Sequence, residues 1–332
     1  MITIKQICSN SLSLEPLIIE FNKEKICVVT IGGDREPCPD NRVHGFKSKD
    51  GISWEHIGMI YTNERACYAN AMNVIDNKIY LHLIVHDGDF WNMKTVTLCS
   101  QDGKKWKEIP TFKGLEEWTL IRPMTKLSYD TIIIPYHSYP IQNNERICRQ
   151  GVLITKDNGK TYENHICFDL KQPLGHLSMS KETIDGTLGW IWTEPSIAEL
   201  SDGALVMFIR VDNTGWIWKS ISKDRGVTWS QPVKTDIPNS TCKSQLIKCG
   251  NKIAFINVPN NKEIIEKGAF YAYRWPLEIW VSKDDLKTWN KKIQVTDFPG
   301  EYHYPNGYYK NNKLSFVIEH NRHSVLYIET EI

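Results

Sequence analysis

One short turn motif recurs along the chain at a spacing that leaves few folds open. Ser48-Lys-Asp50-Gly-Ile-Ser-Trp54, Ser100-Gln-Asp102-Gly-Lys-Lys-Trp106, Thr155-Lys-Asp157-Asn-Gly159-Lys-Thr-Tyr162, Ser222-Lys-Asp224-Arg-Gly226-Val-Thr-Trp229 and Ser282-Lys-Asp284-Asp-Leu-Lys-Thr-Trp289 each join a hydroxyl residue to an aspartate two positions on and a closing aromatic. Successive starts lie 52, 55, 67 and 60 residues apart. Short β-rich runs precede them, such as Val96-Thr-Leu98, Trp216-Ile-Trp218 and Leu277-Glu-Ile-Trp-Val281. An aspartate in a tight turn accepts bonds from backbone N–H groups that the turn leaves free, and glycine supplies the positive φ such turns need. The closing aromatic starts the next strand and buries its ring. These five aspartates therefore read as structural and not catalytic.

A hairpin repeated at this interval, with further short strands between, describes the four-stranded blades of a β-propeller. Dividing 332 residues by a repeat of about 55 predicts six blades, five with the motif and one without, in a single all-β domain spanning residues 1–332. Two late runs, Lys313 to Glu319 and Ser324 to Glu329, supply strands for the last blade. The first run, Ile2 to Ile7, completes that blade and closes the ring, which removes exposed sheet edges. Helical periodicity is nearly absent; Asn261 to Gly268 is the one short candidate.

Composition narrows the partners. Forty basic against thirty-nine acidic residues leave net charge near zero, which points away from a nucleic-acid or membrane surface. Twelve Trp and fourteen Tyr suit β-sheet cores and sugar-binding clefts. Nine scattered cysteines with no CxxC pair argue against a zinc site and for reduced thiols in a cytoplasmic setting. Residues 1–16 show no basic start followed by a long apolar run, so no signal peptide is expected. No run approaches the length of a membrane span.

The five motifs resemble the Asp-boxes of the sialidase (neuraminidase) superfamily, over most of the chain. That resemblance implies a six-bladed propeller and an exo-acting, retaining glycoside hydrolase that needs no metal or organic cofactor. The implied partner is an oligosaccharide or glycoconjugate ending in an acidic sugar. Its catalytic set is a Tyr nucleophile, a Glu that withdraws the Tyr proton, an Asp acid/base and three arginines on the sugar carboxylate. A phenol suits the substrate, because a carboxylate nucleophile would be repelled by the sugar's own carboxylate.

The resemblance extends to particular residues. Thr193-Glu194-Pro-Ser-Ile-Ala-Glu199-Leu-Ser-Asp-Gly and the strand ending at Arg210 resemble the family's Glu, hairpin and Arg, which makes Glu194 the base and Arg210 a clamp arginine. Glu199 is expected to be solvated in the turn. Arg274, a short strand ahead of the fifth box, resembles another clamp arginine. Tyr302-His-Tyr304-Pro-Asn306 resembles the nucleophile strand, with Tyr304 preferred and Tyr302 the alternative, since residues two apart share a strand face.

The loop Gly32-Gly-Asp34-Arg35-Glu36-Pro-Cys-Pro-Asp40-Asn-Arg42 resembles the segment that carries the acid. Asp40 is its best match, Asp34 and Glu36 are rivals, and Arg35 and Arg42 are candidates to contact the sugar or to replace a missing clamp arginine. Where the family has an early Arg-Ile-Pro, this chain reads Leu14-Glu15-Pro16, so one clamp arginine is absent or comes from elsewhere. Separately, Arg322, on the turn that follows the strand ending at Glu319, is also in reach of the rim. Strand ends at His86, Asp89, Trp91, His137 and Tyr139 are further candidate sugar contacts. Two other readings stand beside hydrolysis of a sialoside. One is a superfamily enzyme on another sugar, including a uronate lyase using His137 and Tyr139. The other is a non-catalytic carbohydrate-binding propeller.

Overall fold

Each recurring motif closes on itself through its aspartate. Asp50 Oδ1 accepts the N–H groups of Ile52 and Ser53 at 2.8 and 2.9 Å, while Gly51 N–H donates to Ser48 Oγ at 2.8 Å. In the fourth motif Thr228 N–H donates to Asp224 Oδ1 at 2.9 Å, Gly226 N–H to Ser222 Oγ at 2.8 Å, and the Trp229 indole to Gly226 O at 2.9 Å. These donors hold the aspartates below the usual carboxylate range, Ser53 and Ile52 for Asp50 and Thr228 foremost for Asp224. The fifth motif lacks glycine. Leu286 adopts φ 63° there, a region that side chains disfavour, and its N–H donates to Ser282 Oγ at 2.9 Å. Its side chain packs on the core of Phe208, Phe255 and Trp280, which offsets the strain.

The computed structural model describes residues 2–89, 92–143, 145–170, 192–269 and 271–332. Antiparallel sheets follow one another along the chain as the four-stranded blades of a six-bladed β-propeller, as the repeat predicts, and one of these sheets carries an extra short strand. The chain divides into two compact units, Met1–Pro123 with Glu301–Ile332, and Met124–Gly300.

The first unit holds three complete sheets. One runs Ser13–Phe21, Glu24–Ile31, Arg42–Ser48 and Glu55–Met59; the next runs Ala66–Ile75, Lys78–His86, Lys94–Ser100 and Lys107–Ile109. The third joins Tyr302–Lys310, Lys313–His320 and Ser324–Glu331 to the first strand of the chain, Ile2–Ser9. Ile4 pairs Ile328 in that closure, as the sequence predicts. Apolar residues from neighbouring sheets interlock: Leu17, Val28 and Val43 pack with Cys67, Leu81 and Leu83. Val317 and Tyr327 pack with Ile18, Val29 and Phe46 in the same way.

The second unit holds Thr193–Glu199, Leu205–Val211, Trp216–Ser222 and Val233–Pro238 in one sheet, and Gln245–Cys249, Lys252–Asn257, Glu278–Ser282 and Lys291–Gln294 in another. Ile132–Ser138, Cys148–Thr155 and Glu163–Leu170 pair in that order in its remaining sheet, where the short strand Thr125–Lys126 also pairs with Ile132–Ser138. The one helix among the described residues, Lys262–Lys267, lies within the predicted segment and ends at Gly268 in the left-handed region, φ 62°. Glu199 is not a solvated turn residue as expected. It is half-buried and accepts both the N–H and the hydroxyl of Ser128, at 2.9 and 2.8 Å.

Candidate active site

In the second unit the Ser-Asp-Gly turn sets a hairpin register that pairs Glu194 directly with Arg210. Both side chains are buried, and Arg210 Nη1 donates to Glu194 Oε2 at 2.7 Å. A second acid completes the cluster. Arg210 Nε and Nη2 both donate to Asp212 Oδ1, at 3.2 and 2.9 Å, and Asp212 is wholly buried. Asp212 in turn accepts the backbone N–H of Trp192 at 3.1 Å. Two buried carboxylates therefore hold one guanidinium by its side and by one end, which fixes its orientation. The sequence reading missed Asp212; its signal was a second acid two positions past Arg210, in the turn just after the strand.

His137 and Tyr139 lie beside this cluster and are fully buried. Their rings are 5.5 Å apart, Tyr139 meets the Trp192 ring edge-on at 5.3 Å, and His137 Nδ1 lies 3.5 Å from the Thr193 hydroxyl. Arg274 is buried on a separate loop, where Nη2 donates to Thr241 O at 2.8 Å and the guanidinium lies 5.7 Å from the Tyr271 ring. Tyr271 and Tyr273 flank it with large exposed ring surface.

The first unit holds the other predicted residues. Its charged loop is braced by the buried Asn41, which accepts Cys38 N–H at 2.8 Å and donates to Gly32 O at 2.7 Å. Arg42 spends Nη1 on the carbonyls of Pro39 and Asn41, at 2.8 and 2.7 Å, so it works as a loop brace. Arg35 and Asp34 are exposed and pair with each other at 3.5 Å, and Asp40 is exposed as well. Glu36 is the acid of this loop that turns inward, to Arg322 Nη2 at 2.5 Å. His86 is buried, accepts Gly88 N–H on Nδ1 at 3.0 Å, and is pushed down to about 4 by burial and then by Arg65. It is a neutral core histidine. Asp89 is half-buried, and Trp91 lies outside the described residues.

Tyr302 and Tyr304 do not share a face. The ladder between Tyr302–Lys310 and Lys313–His320 slips one residue between His303 and Asn306, and Tyr304 sits in that bulge at φ 54°. Tyr302 is fully buried with its ring 5.1 Å from that of His320. A second bulge between Leu14 and Leu17 places Glu15 at φ 44°. Residues of the bulged segments are tied across: Glu15 N–H donates to Glu319 Oε1 at 2.6 Å, and Ile18 N–H to Asn306 Oδ1 at 2.8 Å. Tyr304 thus lies in a corner with Tyr68, Glu36 and Arg322, within electrostatic range of both Tyr68 and Arg322. Glu319, buried in the same corner, is pushed up to about 8 by burial; Arg322 opposes that rise, and Glu36 and Glu15 add to it. Tyr68 and Arg122 were not singled out from sequence, because a buried polar residue reads as an ordinary strand residue until its surroundings are known.

Residues 24–315 match the family described as BNR repeat-like domain. The chain belongs to that family, as a propeller of the sialidase superfamily. A curated sialidase from Clostridium perfringens is 28% identical over 205 residues, 58% of this chain and 47% of its own. Among solved structures, a Hadza microbial sialidase superposes with TM-score 0.74 at 14% identity, over 98% of this BNR propeller and 66% of that chain. The Trypanosoma rangeli sialidase in complex with sialic acid gives 0.68 at 14% identity, over 97% and 54%. The intramolecular trans-sialidase from Ruminococcus gnavus, in complex with oseltamivir carboxylate, gives 0.67 at 12%, over 98% and 96%. The BNR propeller spans about half the length of the curated relative, and under two thirds of the first two structures.

The BNR propeller carries no group of three or more His, Cys, Asp or Glu side chains arranged for a metal ion among its described residues. All nine of its cysteines are free thiols. No helix among those residues is long and apolar enough to cross a membrane.

Proposed function

We propose that this BNR propeller is an exo-acting, retaining glycoside hydrolase of sialidase type, working as one domain over residues 1–332 on a terminal, acidic sugar. The observation that carries the reading is Tyr304. Its left-handed conformation in a bulge lifts one phenol out of strand alternation, in a corner that holds an arginine and several acids. Strained residues of this kind concentrate at functional sites.

The family resemblance assigns the nucleophile to Tyr304, whose oxygen attacks the anomeric carbon, and assigns to Glu194 the role of the base that takes its proton. The carboxyl of Asp40 protonates the departing glycosidic oxygen. Water, deprotonated by Asp40, then displaces the tyrosine, which recovers its proton from Glu194. Two inversions give net retention. The same resemblance assigns the sugar carboxylate to Arg210 and Arg274, and each guanidinium is oriented by fixed acceptors within its own unit. A cytoplasmic enzyme of this kind would act on imported or internally released oligosaccharides.

A second reading, a superfamily hydrolase on a non-sialic sugar, is favoured by one observation. Glu15 is buried on the strand where the family carries an arginine. Lyase chemistry through His137 and Tyr139 draws no support from their complete burial.

The test is hydrolysis of a chromogenic sialoside beside a panel of neutral glycosides and an unsaturated-uronate absorbance assay. Tyr304→Phe is expected to lower kcat by about 10³-fold or more with an unchanged melting temperature, whereas Tyr302→Phe loses less than about tenfold. Full activity in Tyr304→Phe rules out the nucleophile. Turnover of a neutral glycoside without any of the sialoside moves the substrate to the second reading.

A further inference from the structure

We propose that Arg322, from the last hairpin turn, is the carboxylate-binding residue of the Tyr304 corner, and that Glu36 is an internal carboxylate that holds it between ligands. The inference rests on the hydrolase reading for its ligand class, an acidic sugar, and adds a specificity-determining pair to it.

The backbone puts Arg322 beside the strand that lacks an arginine. Ser13 N–H donates to Arg322 O at 2.8 Å, one residue before Leu14-Glu15-Pro16. Leu14 itself is fully buried in the core, so nothing on that segment offers a cation. The turn that carries Arg322 is fixed: Asn321 and Arg322 adopt φ 55° and 59°, and Asn321 exchanges bonds with Glu301 through its N–H and its side-chain oxygen, both at 2.8 Å.

The side chain then reaches inward to Glu36, yet 34% of it stays exposed against 12% for Glu36. The guanidinium is thus held by Glu36 at Nη2, its Nε is buried without a hydrogen-bond partner among the described residues, and about a third of the side chain as a whole is exposed. Burial opposes its charge, but Glu36 foremost more than offsets that, so Arg322 stays protonated. Burial raises Glu319 to about 8, so at neutral pH it is largely uncharged. Glu36 is then the acid paired directly with the guanidinium, and Glu15 and Arg122 also act on the groups of the corner. Glu36 engages Nη2, and a guanidinium carries five N–H donors, so donors remain for a second carboxylate. A ligand carboxylate must share the cation with Glu36, which makes Glu36 a brake on affinity.

The test compares binding of sialic acid and its uncharged methyl ester by calorimetry, alongside sialoside turnover. Wild type should bind the acid more tightly than the ester. Arg322→Ala should weaken the acid by about tenfold or more and the ester by less than about twofold, with Arg322→Lys in between because an ammonium cannot bind bidentately. Glu36→Gln should tighten the acid severalfold, the opposite sign to Arg322→Ala. If both variants weaken acid and ester alike, the pair is merely structural and the proposal fails. It also fails if wild type prefers the ester. Absence of turnover on every glycoside would instead sink the hydrolase reading, while the acid-to-ester ratio still judges Arg322.

Discussion

Glu319 shows how much a single buried residue can report. Its carboxyl accepts the N–H of Glu15, lies wholly inside the first unit, and is held near 8, against an ordinary value of 4.5. A folded-state value above the unfolded one means that the native protein binds more protons in that window, so this residue's contribution to stability falls as pH rises through it. Replacing it by an uncharged amide removes the titration. Thermal melts of Glu319→Gln should therefore lose less stability than wild type between about pH 5 and about pH 8.5. Parallel melting curves for the two proteins across that range would show that Glu319 does not titrate there.

Elements decide what the residues can do. The Asp-box was legible in sequence because its physics is local: a hydroxyl, a carboxylate and free turn N–H groups within eight positions suffice. Asp224→Ala should lower the melting temperature by about 2–5 °C while leaving glycoside turnover unchanged, since the carboxylate works only on its own turn. A loss of activity without a loss of stability would contradict the structural role. The Glu194–Arg210 pair was legible for the same reason, a short hairpin of set register. The choice between Tyr302 and Tyr304 was not. Alternation along a strand holds only while the ladder is regular, and a bulge turns the two side chains to different surroundings. Arg42 shows another contact that sequence does not reveal, since its Nη1 donates to the backbone carbonyls of Pro39 and Asn41.

At the scale of the molecule, the last blade depends on the first strand. Ile2–Ser9 pairs with Ser324–Glu331 along its whole length, so the chain's opening residues cover an edge that would otherwise expose unpaired N–H and C=O groups. Removing residues 2–9 should lower the melting temperature and produce concentration-dependent association, measured by calorimetry and light scattering. A shortened protein that stays monomeric and melts with wild type would show that the closure contributes little.

The amino-acid sequence by itself determined the blade count, the turn chemistry, the N-terminal closure and the pairing of Glu194 with Arg210. All of these follow from short-range periodicity and hairpin geometry. Tertiary structure alone decided that Asp212 shares Arg210, that Glu36 and not Asp40 turns inward, and that Arg322 lies beside Leu14-Glu15-Pro16. These are contacts between strands and turns far apart in the chain, where burial and charge select partners that no local pattern encodes.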